Sequence, residues 1–168
     1  RNSTKVLIDN NEIYNLIRAA CCAGRGVTVV SGHSTDGTYA NGIIISNNSI
    51  HDNGEDGIDI VGQYIDIDSN SIYNNITSDW LTADTHPDGI QIINGCIDGY
   101  CAVQHAMIRN NIVKNSSQNI FGQGTATNRI EDLHIFNNVS YMDSGVVNGV
   151  DLDTVDFKIL DIENYNGV

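Results

Sequence analysis

The chain has 168 residues, a hydrophobic fraction of 40% and a formal net charge of −13 at pH 7. That length suits one domain with its own core, so we predict a single domain over residues 1–168. The charge disfavours nucleic acid and anionic membrane surfaces as partners, and no apolar stretch of the sequence approaches the roughly 20 residues that cross a bilayer.

Six segments along the chain share one pattern, in which an isoleucine lies three residues before an anchor position. An apolar residue lies two positions before that isoleucine, and in the first four segments another follows the anchor by two. This alternation before the anchor has the period of a β-strand. The segments are VLIDNNEIYN (6–15), IIISNNSIHD (43–52), IDIDSNSIYN (65–74), AMIRNNIVKN (106–115), LHIFNNVSYM (133–142) and FKILDIENYN (157–166).

The anchors predict a bend between two strands. At the Asn pair the alternation changes parity, as it would across one left-handed residue, and Asn tolerates that conformation best after Gly. Residues 11–20 also have apolar side chains at helical spacing, but we keep the strand interpretation there. The spacings between anchors, 37, 22, 41, 27 and 24 residues, indicate that strands recur while loops vary in length. The anchors are Asn11, Asn48, Asn70, Asn111, Asn138 and Ile162.

Stacking these units gives the predicted fold. Coils stacked at about 4.8 Å would place Ile over Ile and bury a shared core, and their Asn side chains would hydrogen-bond along the stack. We predict an all-β, single-stranded right-handed parallel β-helix of about six coils. We also expect a segment of a longer chain, with flanking domains or an oligomeric partner covering the open coil ends. Third strands are predicted at DGIDI (56–60), DGIQI (88–92), NIFGQ (119–123) and NGVDL (148–152).

The stretch TADTHPDGIQII (82–93) contains the only proline of the chain. Pro87 cannot donate to a sheet ladder and favours an extended conformation of His86. In that geometry Asp84, His86 and Asp88 alternate and project toward one side.

A neighbouring coil adds further acidic residues to this region. When an insertion of about ten residues is removed, Asp56, Asp88 and Asn119 fall in one column. Asp59 and Gln91 are then expected to point to solvent on the same face. Carboxylates so close together are costly unless a cation or a shared proton relieves them.

Three interpretations of this cluster stay open. The Asp side chains could cap turn amides and be structural. They could bind a divalent cation, with Asp84, Asp88 and Asp56 as ligands beside His86, and oxygen ligation favours Ca²⁺. They could also perform acid–base chemistry as a carboxylate pair with one raised pKa.

The repeated columns resemble the right-handed parallel β-helix of the pectate-lyase-like superfamily over nearly the whole chain. The resemblance implies a polysaccharide substrate and lyase, epimerase or hydrolase chemistry on a uronate-containing glycan. Asp56 and Asp88 resemble the paired aspartates of polygalacturonase-like hydrolases. For a lyase or epimerase, His86 would be the base and Arg129 would neutralise the uronate. The Gly-His-Gly and Arg-x-Lys motifs of the hydrolases and the Asp-Pro-His-Glu motif of the alginate epimerases are absent.

These considerations give a first choice and an alternative. The first is a polysaccharide-active enzyme, favoured by loop insertions at 74–86, 94–105 and 122–132. The alternative is a non-catalytic glycan-binding or structural β-helix, such as an adhesin, tailspike or surface-layer segment, which the shortage of basic residues favours. The predicted catalytic residues are Asp88, His86, Asp56 and Arg129, and the predicted substrate-binding residues are Gln91, Asp59, Trp80 and Gln123.

Two further features bear on binding and location. An outward column of mostly aromatic residues follows the anchors by three, and we attribute it to strand propensity rather than to sugar stacking. The four cysteines favour a secreted, periplasmic or cell-surface protein, with a predicted Cys96–Cys101 disulfide. The outward column consists of Tyr14, His51, Tyr73, Lys114 and Tyr141.

Overall fold

A computed structural model describes residues 5–16, 24–30, 42–77, 87–93, 103–124, 130–155 and 158–164. These residues form β-strands joined by bends, with one 3₁₀ helix at Leu152–Thr154 and no α-helix among them. The strands, in chain order, are β1 (Val6–Asp9), β2 (Glu12–Tyr14), β3 (Val27–Val30), β4 (Ile43–Ser46), β5 (Ser49–His51), β6 (Ile58–Val61), β7 (Gln63–Asp68), β8 (Ser71–Tyr73), β9 (Asp88–Ile93), β10 (Val103–Arg109), β11 (Ile112–Lys114), β12 (Gln118–Gly124), β13 (Ile130–Phe136), β14 (Val139–Tyr141), β15 (Val146–Val147), β16 (Val150–Asp151) and β17 (Lys158–Asn164).

The strands form three parallel sheets of five strands each. Sheet A has the order β1-β4-β7-β10-β13, sheet B has β2-β5-β8-β11-β14, and sheet C has β3-β6-β9-β12-β17. One strand from each sheet, taken along the chain, makes a layer, and the next layer pairs with it in parallel. The all-β prediction is confirmed, and the stacked parallel sheets are compatible with a β-helix.

Sheet A contains the predicted isoleucine column. Its members pair with one another from layer to layer, and the central three are fully buried. Apolar residues two positions earlier are in register as well, so the period-two alternation was interpreted correctly. The column consists of Ile8, Ile45, Ile67, Ile108 and Ile135.

The sixth repeat was predicted wrongly. Strand β17 pairs with β12 in sheet C, with Leu160 beside Ile120, so Ile159 is outside the isoleucine column and is 55% exposed. The segment NGVDL was also misplaced, since Val150–Asp151 pairs antiparallel with Val146–Val147. Each parallel sheet therefore has five strands in the described part of the chain, where about six coils were expected. Alternation of period two occurs in sheets A and C alike, so it does not indicate which sheet a strand joins.

The asparagine ladder between sheets A and B is confirmed. Asn48 Nδ2 donates to Asn70 Oδ1 at 2.9 Å, and Asn70 Nδ2 donates to Asn111 Oδ1 at 3.0 Å. Each carboxamide oxygen also accepts the backbone N–H of the anchor in the layer before it. The residue before each of the five Asn anchors is left-handed, with φ between 55° and 59°, as the change of parity requires: Asn10, Asn47, Ser69, Asn110 and Asn137.

Removing one member of the ladder should show how strongly it stabilises the fold. In Asn70→Ala, the Asn48 N–H and the Ile45 carbonyl lose buried partners, so we expect the free energy of unfolding to fall by about 3 kcal/mol. Asn11→Ala is the matched control, because Asn11 is exposed at one end of the ladder, and a loss of about 1 kcal/mol is expected there. Urea unfolding measures both, and equal losses would contradict a cooperative ladder.

Candidate functional site

Three neighbouring strands of sheet C share one pattern at their start, which is a charged residue followed by a glycine and an apolar residue. Val27, Ile58 and Ile90 are register partners, so the preceding pairs Arg25-Gly26, Asp56-Gly57 and Asp88-Gly89 are stacked in consecutive layers. The glycines permit this close stacking, since a Cβ on any of them would lie 2.5 or 2.6 Å from a carbonyl oxygen of the next layer. The chemical groups of the site are therefore carried on a tightly packed stack of backbone.

The stacking brings Asp56 and Asp88 together in neighbouring layers. The Asp88 N–H donates to Asp56 Oδ1 at 2.9 Å, and the two side chains are 1% and 0% exposed. Asn119 was expected in the same column, but Gln118 is the register partner of Asp88. Asn119 therefore lies one residue further along, and that expectation was wrong by a single residue.

An arginine that the sequence analysis did not consider lies at the centre of the cluster. Arg25 Nε lies 3.0 Å from Asp56 Oδ2, and Arg25 Nη1 lies 2.8 Å from Asp59 Oδ2. Glu55 Oε2 is 4.0 Å from the same Nε. One guanidinium thus contacts three carboxyl groups. The alignment of RGVTV with DGIDI would have indicated Arg25, because it places Arg25 directly against Asp56.

Burial governs the electrostatics of these carboxyl groups. Desolvation, and then the charge of Asp88, raise the pKa of Asp56 to about 8. Burial also raises the pKa of Asp59, and the Arg25 guanidinium partly offsets that rise. The raised pKa favours the protonated form of Asp56 at neutral pH, although both of its oxygens accept hydrogen bonds, from the Asp88 N–H and from Arg25 Nε.

The outer face of sheet C is less accessible than expected. Asp59 and Gln91 are register partners and point away from the isoleucine core, but they are only 2% and 6% exposed. The expectation that they face solvent was therefore wrong. Within the described residues, Asp59 Oδ1 and Gln91 Oε1 accept no hydrogen bond. Gln123 lies near the end of β12, with β9 between it and the strand that carries Asp59.

Several predicted site residues lie outside the described residues, and their roles remain predictions. These include two predicted catalytic residues, one metal ligand and the tryptophan, together with all four cysteines. The calcium site is likewise neither supported nor tested as a whole, although no group of three His, Cys, Asp or Glu side chains among the described residues is arranged to hold a metal. The residues concerned are His86, Arg129, Asp84, Trp80, Cys21, Cys22, Cys96 and Cys101.

The outward column on sheet B is a continuous stack of side chains. The His51 ring stacks on Tyr14 and on Tyr73, with centroid separations of 5.3 and 4.6 Å. Lys114 Nζ lies 5.9 Å from the centroid of the Tyr73 ring and 5.4 Å from that of Tyr141. Since the inner ring faces contact one another, they are not available to a sugar, which supports the structural interpretation.

The proton on Asp56 should appear in the pH dependence of stability. The folded-state pKa is raised to about 8 from 3.8. The contribution of protonated Asp56 to the free energy of unfolding is therefore fully present below about pH 4 and is lost as the pH rises to about 8. We expect the free energy of unfolding of Asp56→Asn to rise relative to wild type across that range, as measured by urea unfolding.

The matched control is Asp68→Asn, on sheet A. Hydrogen bonds from Asn110 and Ser69 and the charge of Arg109 lower the pKa of half-buried Asp68, so its contribution is lost only as the pH falls below about 4. Its difference from wild type should be constant where that of Asp56→Asn changes. A flat difference for Asp56→Asn would contradict the proposed protonation.

The chain was compared with models of protein families, with curated proteins and with solved structures, and none of the three comparisons gave a match. Among the described residues, no helix is long and apolar enough to span a membrane. Any assignment of activity therefore depends on the chemistry of the carboxylate cluster.

Proposed function

We propose that the chain is a parallel β-helix domain that hydrolyses a glycosidic bond of a polysaccharide. The main observation that supports this proposal is that Arg25 lies between Asp56 and Asp59, with distances of 3.0 and 2.8 Å to their carboxyl oxygens. Hydrolysis of a glycosidic bond needs one protonated and one ionised carboxyl close together. An exported location and a polysaccharide partner are part of the same proposal.

The environments of the two carboxyl groups suggest their roles. The pKa of Asp56 is raised to about 8, so at neutral pH it can protonate a leaving oxygen as general acid. Burial also raises the pKa of Asp59, but the guanidinium of Arg25 offsets part of that rise, so Asp59 is the proposed base or nucleophile. Arg25 is the most exposed of the three side chains, at 20%, and marks the side from which a substrate would approach.

Among the three chemistries expected from the sequence, this geometry favours hydrolysis. A lyase or epimerase needs a basic group to neutralise the uronate carboxyl. Within the described part of the cluster, the guanidinium of Arg25 is already paired with two Asp side chains, and the predicted neutralising residue, Arg129, lies outside the described residues. That same guanidinium lies where a cation shared by Asp56 and Asp59 would be, so the proposed mechanism uses no metal. Gln91, beside Asp59 in the next layer, is the proposed hydrogen-bonding partner of a sugar hydroxyl.

A structural role of the cluster is the second candidate. The burial of Asp56 and Asp59, with side chains 1% and 3% exposed, favours a non-catalytic glycan-binding or structural domain. In that case the cluster would only link the layers of sheet C. The two candidates predict different effects when Asp56 or Asp59 is replaced by the isosteric Asn, since only the hydrolase should lose an enzymatic activity.

Activity assays on amide variants test the proposal. Against a panel of neutral and uronate polysaccharides, wild type should release new reducing ends without the ultraviolet absorbance of an unsaturated product. Asp56→Asn and Asp59→Asn should each lower kcat by about 10²-fold or more, and wild-type activity should fall as the pH rises above about 8. Unsaturated product would indicate a lyase instead.

Asp68→Asn is the control, because Asp68 also pairs with an arginine, Arg109 Nη2 at 3.0 Å, but on sheet A. It should retain wild-type activity. If no polysaccharide of the panel is cleaved, or if Asp56→Asn and Asp59→Asn cleave as wild type does, the hydrolase is excluded and the structural candidate is favoured.

A further inference from the structure

A second column of mostly polar side chains follows the bend between sheets B and C. The first residue of each of these bends is left-handed, with φ between 52° and 58°. Because the last residues of the sheet B strands are register partners, the residues two positions after them fall in one column, which we call the second ladder. The left-handed residues are Asn15, Asp52, Asn74 and Asn115, and the second ladder consists of Leu16, Asn53, Asn75 and Ser116.

The second ladder has the hydrogen bonds of the asparagine ladder between sheets A and B. Asn75 Oδ1 accepts from the Asn53 N–H at 3.1 Å and from Asn53 Nδ2 at 3.0 Å, and Asn53 Oδ1 accepts from the Leu16 N–H at 3.2 Å. One carboxamide oxygen thus receives the backbone donor and the side-chain donor of the layer before it. Since both Asn53 donors are directed at the same Asn75 atom, the orientation of the Asn75 carboxamide is fixed, with Nδ2 toward the layer of Ser116.

This pattern is interrupted at Ser116, which has no carboxamide to continue it. Asn75 and Ser116 are both 0% exposed, and neither Asn75 Nδ2 nor Ser116 Oγ makes a hydrogen bond within the chain. Among the described residues, the Asn75 N–H has no backbone acceptor either. The Ser116 N–H is paired, because it donates to Asn119 Oδ1 at 3.3 Å. Two donors and one hydroxyl group are therefore buried in consecutive layers of one column without a partner.

Unpaired groups at this depth are costly to the folded state. A buried polar atom without a partner loses its hydration and receives nothing in exchange. Native proteins accordingly pair nearly all such atoms, and an ordered water is the partner where no protein atom is in reach. The Ser side chain is two heavy atoms shorter than that of Asn, a difference comparable with the roughly 30 Å³ that one water takes up.

We propose that one buried water molecule continues the second ladder between Asn75 and Ser116. Its oxygen accepts from the Asn75 N–H and from Asn75 Nδ2, in the way that Asn75 Oδ1 accepts from the two donors of Asn53. One of its protons is donated to Ser116 Oγ. These three hydrogen bonds are the number typical of a buried water.

The proposed hydration site lies against the backbone that carries the carboxylate cluster. A Cβ added to Gly57 would lie 2.8 Å from Asn75 Nδ2, and Gly57 directly follows Asp56. The water therefore links two layers at the bend beside the stacked Asp-Gly pairs. It is bound by neutral groups only, so the site does not depend on the proposed hydrolysis.

A high-resolution crystal structure of the wild-type chain and of Ser116→Asn tests the proposal directly. The wild type should show one water within about 3.2 Å of Asn75 N, Asn75 Nδ2 and Ser116 Oγ. In Ser116→Asn the new carboxamide oxygen should take the place of that water, and the urea midpoint should not fall below that of wild type. The proposal is overturned if no water lies there in the wild type, or if the water remains in Ser116→Asn.

Ser116→Ala distinguishes a hydrated hydroxyl group from an unpaired one by the sign of its effect. Removing an Oγ that binds the water should raise the unfolding equilibrium constant about fivefold, as the loss of one hydrogen bond does. Removing an unpaired Oγ should lower that constant instead. The matched control is Ser117→Ala, because Ser117 is 3% exposed and its Oγ donates to the Pro87 carbonyl at 3.0 Å. Urea unfolding should show a rise for both variants, and a fall or no change for Ser116→Ala would overturn the proposal.

Discussion

Vertical register between layers is the constraint on which this structure depends. Parallel strands about 4.8 Å apart place each side chain against its counterpart in the next layer, so a residue must be compatible with its own column. Isoleucine satisfies this by packing on isoleucine, and Asn by accepting and donating along the ladder between Asn48, Asn70 and Asn111. The ladder also binds backbone N–H groups, so it holds the bend and the register together.

Charged residues cannot satisfy the same constraint by repetition, since like charges in contact repel. Some charged side chains are compensated by a neighbour, as where Asp66 pairs with Arg109 on sheet A and Asp56 with Arg25 on sheet C. Where Asp88 follows Asp56 in one column, the charge of Asp88 contributes to the raised pKa of Asp56. Glycine has two different effects in these columns. Gly57 lets the backbones of adjacent layers approach closely, whereas Gly42 permits a backbone φ of +98° that other residues rarely adopt.

The parts of the structure that could be predicted from the sequence are those in which a column repeats one residue type. The isoleucine column and the Asn bends were predicted correctly for five layers, because Ile and Asn recur at constant spacing from each other. Arg25 was missed because a compensating residue does not resemble its partner. The last strand was assigned to the wrong sheet because Ile159 and Ile162 are three residues apart, as are the isoleucine and the anchor in the other segments. Its pairing with β12 depends on tertiary contacts that this spacing does not indicate. The deep burial of Asp59 could not be predicted, because the strand pattern indicates which face of the sheet a residue lies on but not what covers that face.

The composition of the carboxylate cluster bears on whether it only stabilises the fold. Within the described residues, Glu55, Asp56 and Asp59 all contact the guanidinium of Arg25. Buried ion pairs are weak sources of stability, and apolar residues of similar volume often stabilise as well or better. Burial, and then the charge of Asp88, raise the pKa of Asp56 to about 8, so at neutral pH this carboxyl group costs the folded state free energy. A purely structural role would leave this cost unexplained, whereas the proposed proton transfer would use a carboxyl group with a raised pKa.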